Sequence, residues 1–191
     1  MALTFPWLLR LWRGRFPSPL TRAISRLGFW RLLRRLGLRW SFLKEGLTRN
    51  AAGKAFQAWK ALLAALLRLE LDKLKAIVKT EEERRWLETT AVLRVPTTKM
   101  RALTNMLEEL GHSVLMGTLL ALELHDYQYH GPDPDMANSK YTTREEAMTD
   151  IRRLTAEVAR HVETLRGRVK WGEELEKALQ ELKQALSTNT P

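Results

Sequence analysis

From residue 51 to about residue 70 the apolar positions Ala52, Ala55, Phe56, Trp59, Leu62, Leu63 and Leu66 return every three or four residues, which predicts a helix with one core-facing stripe. Asn50 stands where an N-cap is wanted, and a second ridge of Ala51, Ala58, Ala61 and Ala65 would let a neighbouring helix approach closely. Residues 71–78 read as a shorter helix or turn. Thr80 followed by Glu83 has the spacing of a capping box, opening a helix that runs through Trp86 and Leu87 to Val95, where Pro96 ends it. Thr97 or Thr98 then opens the longest helix, reaching about Tyr129. Between Val114 and Leu124 that segment is apolar on several faces, as expected of the central member of a bundle. Gly111 and Gly117 within it mark a close contact or a bend. A polar loop follows over residues 130–141. Thr143 with Glu146 predicts a second capping box for a helix to about Leu165; Gly167 stops it, and Glu173 to Leu186 forms a last amphipathic helix. No stretch alternates with period two. The pattern predicts an all-α fold: an up-and-down bundle of four main helices, a C-terminal helix and a basic N-terminal arm. The divisions are 1–40 for the arm, 41–166 for the bundle and 167–191 for the C-terminal helix and tail.

Charge changes this picture only at the N-terminus. The chain of 191 residues carries a formal charge of +10, with 32 Lys and Arg against 22 Asp and Glu. Residues 1–40 hold nine arginines and no acid, which leaves the rest of the chain at +1. Within the arm, Ile24, Leu27, Trp30, Leu33, Leu36 and Trp40 recur at helical spacing, with Arg22, Arg26, Arg31, Arg34, Arg35 and Arg39 between them. Three readings of this segment stand together. A basic helix can neutralise nucleic-acid phosphates, or lie on an anionic membrane surface. A segment with no lysine and no acid is also what upstream DNA yields when translation is assigned too early, or a plain disordered arm.

Absence of cysteine removes disulfides, thiolate catalysis and Cys-based metal sites. No stretch reaches 18 uninterrupted apolar residues, and the N-terminus lacks the order of a secretory signal, so the expected location is the cytoplasm. There is no glycine-rich phosphate loop, Ser-His-Asp set or paired-carboxylate motif. The densest local chemistry is His125, Asp126, Tyr127, Tyr129, His130, Asp133 and Asp135, at the end of the longest expected helix and in its loop. Such a set could hold a divalent metal, bind a ligand or partner, or supply acid–base groups near neutral pH. His125 and His130 are five residues apart, so one continuous helix would not aim both at one ion. Gly131, Pro132 and Pro134 prescribe a tight turn in which Asp133 and Asp135 bond backbone amides. No metal site and no cofactor is expected. Arg49 and Lys54, with Asn50 and Gln57, could meet an anion near the first helix N-terminus; Lys140 and Arg144 offer a second such place. The alternative for both is capping and a solvated basic face. His112 sits among apolar residues and reads as a satisfied core histidine.

Two stretches carry a family resemblance: LKEGLTRNAAGKAFQAWKALLAAL at residues 43–66 and LHDYQYHGPDPDMANSKYTTREEAMTDI at residues 124–151. They resemble the archaeal PaREP family, which is similar in turn to HEPN helical domains. The resemblance covers roughly residues 42–166. It implies a HEPN-like bundle, dimerisation, and work beside a nucleotidyltransferase-type partner. It also implies nucleotide or RNA binding. The ribonuclease branch of HEPN proteins places an Arg four to six residues before a His on one helical face. None of His112, His125, His130 and His161 has an Arg at that spacing, so catalysis is not carried over. Arg160 directly precedes His161, a spacing that points two helical side chains apart. The expectation is a non-catalytic binding or accessory module. The alternatives are a purely structural interaction protein, or one directed to RNA or membrane by its arm.

Overall fold

The computed structural model describes residues 42–43, 45–169 and 171–187, and among these every regular element is helical. The arm, with Arg22, Arg26, Arg31, Arg34, Arg35 and Arg39, lies outside the described residues.

Helix α1 (Thr48–Leu69) buries twelve of its 22 residues, so it, and not the expected longest helix, is the hub of the bundle. It starts earlier than its sequence pattern suggests. Gly46, at φ +72°, turns the chain back, and the Leu47 amide donates to the Phe42 carbonyl at 2.8 Å. The N-cap is therefore Leu47, without a side-chain cap, and Asn50 lies exposed within the first turn. The tertiary contact that replaces the expected cap is a 2.7 Å hydrogen bond between the Thr48 and Tyr127 hydroxyls, both buried.

Helix α2 (Leu71–Ile77) follows at once, and α3 (Glu81–Trp86) opens on the expected box, with the Glu83 amide donating to Thr80 Oγ1 at 3.1 Å. It passes through a π-helical turn, Leu87–Ala91, into a last α-helical turn, Val92–Arg94. Val95 ends it at φ +44°, a strained conformation held by a side chain only 1% exposed.

The expected longest helix is two helices. After the 3-10 turn Thr97–Lys99, α4 (Met100–Glu109) stops where Gly111 adopts φ +85°. The His112 amide donates to the Leu107 carbonyl and the Gly111 amide to that of Glu108, the pair of bonds of a Schellman terminus. Glu108 Oε1 then accepts the Val114 and Leu115 amides, each at 2.6 Å, so the last turn of α4 caps the start of α5 (Leu115–His130). Helix α6 (Arg144–Thr164) opens on the second capping box as expected, and α7 (Glu173–Ser187) lays Leu175, Leu179 and Leu182 into the core.

Helix α1 packs most extensively on α5 and then on α6. Gly117 makes the first packing possible: a Cβ there would stand 2.2 Å from the ring of Trp59, which is fully buried. Trp59 Nε1 donates to Thr118 Oγ1 at 2.9 Å, and Thr118 shares a 2.8 Å hydrogen bond with Thr104. This chain of buried polar groups joins α1, α5 and α4, each group satisfied where desolvation would otherwise cost about 1–3 kcal/mol.

Candidate functional site

Where α1 leaves its first turn, its backbone comes close to the last turns of α5. Gly53 is the point of approach, since a Cβ there would lie 2.5 Å from Gln128 Oε1. Beside it opens a cleft of about 410 Å³ lined by Arg49, Asn50, Gly53, Lys54, Gln57 and Gln128. Two cations and three amide side chains converge there, and no carboxylate lines it. Arg49 is partly committed: Nε donates to the Gln128 carbonyl at 3.0 Å and Nη2 to that of Tyr129, which satisfies carbonyls at the C-terminus of α5. Lys54 is half-buried and has neither a hydrogen bond nor an ion pair among the described residues. The cleft therefore presents one uncommitted ammonium amid amide donors and acceptors, which suits an anion with polar substituents.

An aromatic row crosses the same helix pair. The His125 ring stacks on Phe56 with centroids 4.1 Å apart, and Tyr129 meets His125 edge-on at 5.2 Å. Lys60 Nζ lies 5.5 Å from the Phe56 centroid, a cation over a ring face. Burial holds the His125 imidazole below its ordinary range; Asp126 opposes this and Lys60 adds to it. Its Nδ1 is buried without a partner, and Tyr129 remains 59% exposed. The row thus ends in an accessible ring beside the Arg49 end of the cleft.

The residues singled out around the loop separate into different roles. Tyr127 is fully buried, bonded to Thr48 and edge-on to Tyr141 at 5.3 Å, so it pins the loop to the bundle. Asp133 Oδ2 accepts the Asn138 and Ser139 amides at 2.7 and 3.2 Å, and these backbone bonds hold its carboxyl below the usual range. Asp126, His130 and Asp135 are exposed. Among the described residues no three His, Asp or Glu side chains are placed to hold a metal ion. Lys140 and Arg144 are exposed beside the start of α6, where the Thr143 amide donates to Glu146 Oε2 at 3.1 Å and the Glu146 amide to Thr143 Oγ1 at 3.2 Å. The first of the two expected anion sites, Arg49 and Lys54, lines a cleft.

Gln128 escaped sequence reasoning although it lies inside the Tyr-Gln-Tyr stretch. The available signal was Gly53, a glycine among strong helix formers, which marks close approach by another element. A second cluster was also missed. Glu70, 2% exposed, accepts Arg168 Nη2 at 2.6 Å and His112 Nε2 at 3.1 Å on Oε1, with Lys73 Nζ 2.7 Å from Oε2. Burial alone would raise this carboxyl, but the contacts with Lys73, Arg168 and His112 outweigh it and hold it at about 2. His112 is accordingly half-buried and hydrogen-bonded to Glu70, a satisfied histidine at the edge of the core and not within it. Nearby, Arg160 Nη2 folds back to 3.1 Å from His161 Nε2, contrary to the divergence expected of adjacent helical residues. The long, bent Arg side chain reaches what its Cβ direction does not.

The fold and its cleft define a class: an all-α bundle with a polar, cation-bearing groove between two of its helices. The sequence profile of the archaeal PaREP1/PaREP8 family matches residues 34–152, and the chain belongs to that family. The match takes in the last residues of the arm and ends within α6. No curated protein and no solved structure matches the chain. No helix among the described residues is long and apolar enough to cross a membrane.

Proposed function

We propose that this protein is a non-catalytic binding module that takes the phosphate of a nucleotide or RNA end in the cleft between α1 and α5. The observation that carries this reading is Lys54, an ammonium with no partner among the described residues, in a cleft of Arg49, Asn50, Gln57 and Gln128. Arg49 adds charge, the amides suit ribose or phosphate oxygens, and Tyr129 offers an exposed ring for a base to stack on. In this reading the module presents its ligand to a partner of the nucleotidyltransferase type, as the HEPN-like resemblance implies. The test is titration of the full-length protein with ATP and with a 5′-phosphorylated single-stranded RNA, followed by calorimetry. Binding that weakens about tenfold or more in Lys54→Glu, and falls with salt, supports the reading. Binding indifferent to Lys54→Glu, or none at millimolar ligand, refutes it. RNA cleavage that disappears in His125→Ala would refute the non-catalytic part.

A further inference from the structure

A second cavity opens between α3 and α4, and it shares no lining residue with the cleft between α1 and α5. Its volume is about 520 Å³, within the range of small-molecule sites. Leu87 and Leu103, both core residues, line it together with the partly buried Val78, Trp86 and Met106. The backbone beside it is irregular. The π-helical turn Leu87–Ala91 begins at this wall, and such turns recur at functional sites. Further on, Val95 holds φ +44° at the joint between the two helices, a conformation that costs about 1–3 kcal/mol. The polar groups at the mouth differ in how far they are committed. Lys99 lies exposed beside the joint, and its ammonium has neither a hydrogen bond nor an ion pair among the described residues. Trp86 Nε1 is likewise a donor without an acceptor among the described residues. The Glu83 carboxylate is already occupied, since its Oε2 accepts the Lys79 and Thr80 amides. Glu82 stands exposed in the first turn of α3, at the far end of that helix from the joint, where the helix dipole favours it.

We propose that this cavity binds an amphiphilic monoanion, an aryl carboxylate whose rings lie against Trp86 and Met106 and whose carboxylate meets Lys99. The apolar lining supplies the driving force for the ring body, and an indole face and a thioether are both good partners for an aromatic ring. The uncommitted donors at the mouth, Lys99 and Trp86 Nε1, call for an acceptor that carries negative charge. Charge also sets the selectivity. A cationic head would meet Lys99 with like charge, and its one free counter-charge, Glu82, already has the favourable end of α3. A dianion would bring its second charge towards Glu82. A single anionic end is what the two rims accept together. This ligand differs from the phosphate-bearing one assigned to the first cleft, because the second cavity is mainly apolar and the first is lined by cations and amides.

The test is calorimetric titration of the full-length protein with naphthoate, and with naphthalene dicarboxylate and naphthylmethylammonium for comparison. Naphthoate should bind with one molecule per chain, and the other two about tenfold or more weakly. Ala102 lines the cavity from an exposed position, so Ala102→Trp fills the space from the solvent side and should abolish binding. Lys99→Glu should weaken naphthoate about tenfold, and Lys99→Arg should restore it. Both positions are exposed, and an unchanged thermal midpoint shows that each variant keeps its fold. Lys54→Glu should leave naphthoate binding as it is, which separates this site from the phosphate cleft. Three results each overturn the proposal: no naphthoate binding at millimolar concentration, as when another part of the chain or a second copy fills the cavity; binding indifferent to Ala102→Trp or to Lys99→Glu; and naphthylmethylammonium bound as tightly as naphthoate.

Discussion

Replacing Glu70 by Gln removes one negative charge from a place where Lys73, Arg168 and the His112 imidazole meet it, while keeping the size and the acceptor oxygen. Glu70 ends α1, His112 lies in the break between α4 and α5, and Arg168 belongs to the turn after α6, so one carboxylate ties three segments together. Its carboxyl is held at about 2 against an ordinary 4.5, which corresponds to about 3 kcal/mol of native-state stability at pH 7. Because the native value is depressed, that stability is complete above the unfolded value and is lost as pH falls through 4.5 towards 2. Lys73 and Arg168 are 64% and 43% exposed, so after the substitution they hydrate freely and add no buried-charge penalty. Urea unfolding of both proteins should show Glu70→Gln less stable by about 3 kcal/mol at pH 7, with the gap closing to about half by pH 3. His161 also titrates in this range. Burial, then Arg160, hold its imidazole below the ordinary value, so the unfolded chain binds the proton first and stability falls as pH drops below about 6.5. That loss occurs in both proteins and cancels in the difference. A gap at pH 7 below about 1 kcal/mol, or one independent of pH, would refute the reasoning.

The two close-approach glycines should respond differently to alanine, although both gain about 1 kcal/mol of helix propensity. Gly117→Ala pushes into the ring of Trp59, fixed by its own hydrogen bond and full burial, and should lower stability by about 1–3 kcal/mol in thermal or urea unfolding. Gly53→Ala meets only the flexible end of Gln128 and should be close to neutral in the same measurement, while narrowing the cleft and weakening phosphate binding. Tyr127→Phe leaves the buried Thr48 hydroxyl without its 2.7 Å partner and should cost about 1–2 kcal/mol, with faster amide exchange in residues 131–141.

Much of the fold was legible because its cues are local. The capping boxes at Thr80 and Thr143 open helices where their spacing says they should, since each box closes within four residues of chain. The break at Gly111 was half legible. A glycine announces a bend, but ending α4 there depended on Glu108 turning to cap the next helix, a choice between two helical continuations. Asn50 misled, because a good capping residue lost to a turn set up at Gly46 and to a partner 79 residues away from Thr48. At the candidate site, Arg49 and Lys54 could be named from sequence as anion-facing, and Tyr127 and Asp133 as loop-setting. That the first two share a cleft with Gln128 could not be read from the residues themselves.

By itself the sequence determined the helical class, most helix limits, the division between a basic arm and a nearly neutral body, and the chemistry on offer. These depend on periodicity, caps and composition, whose physics acts between residues a turn or two apart. Only the tertiary structure decided that α1 is the hub, that Glu70 is a buried anion met by Lys73, Arg168 and His112, and that Lys54 stands beside Gln128 with no partner among the described residues. Those properties belong to pairs of residues tens of positions apart, and they exist only once packing at Gly53 and Gly117 fixes how α1 and α5 cross.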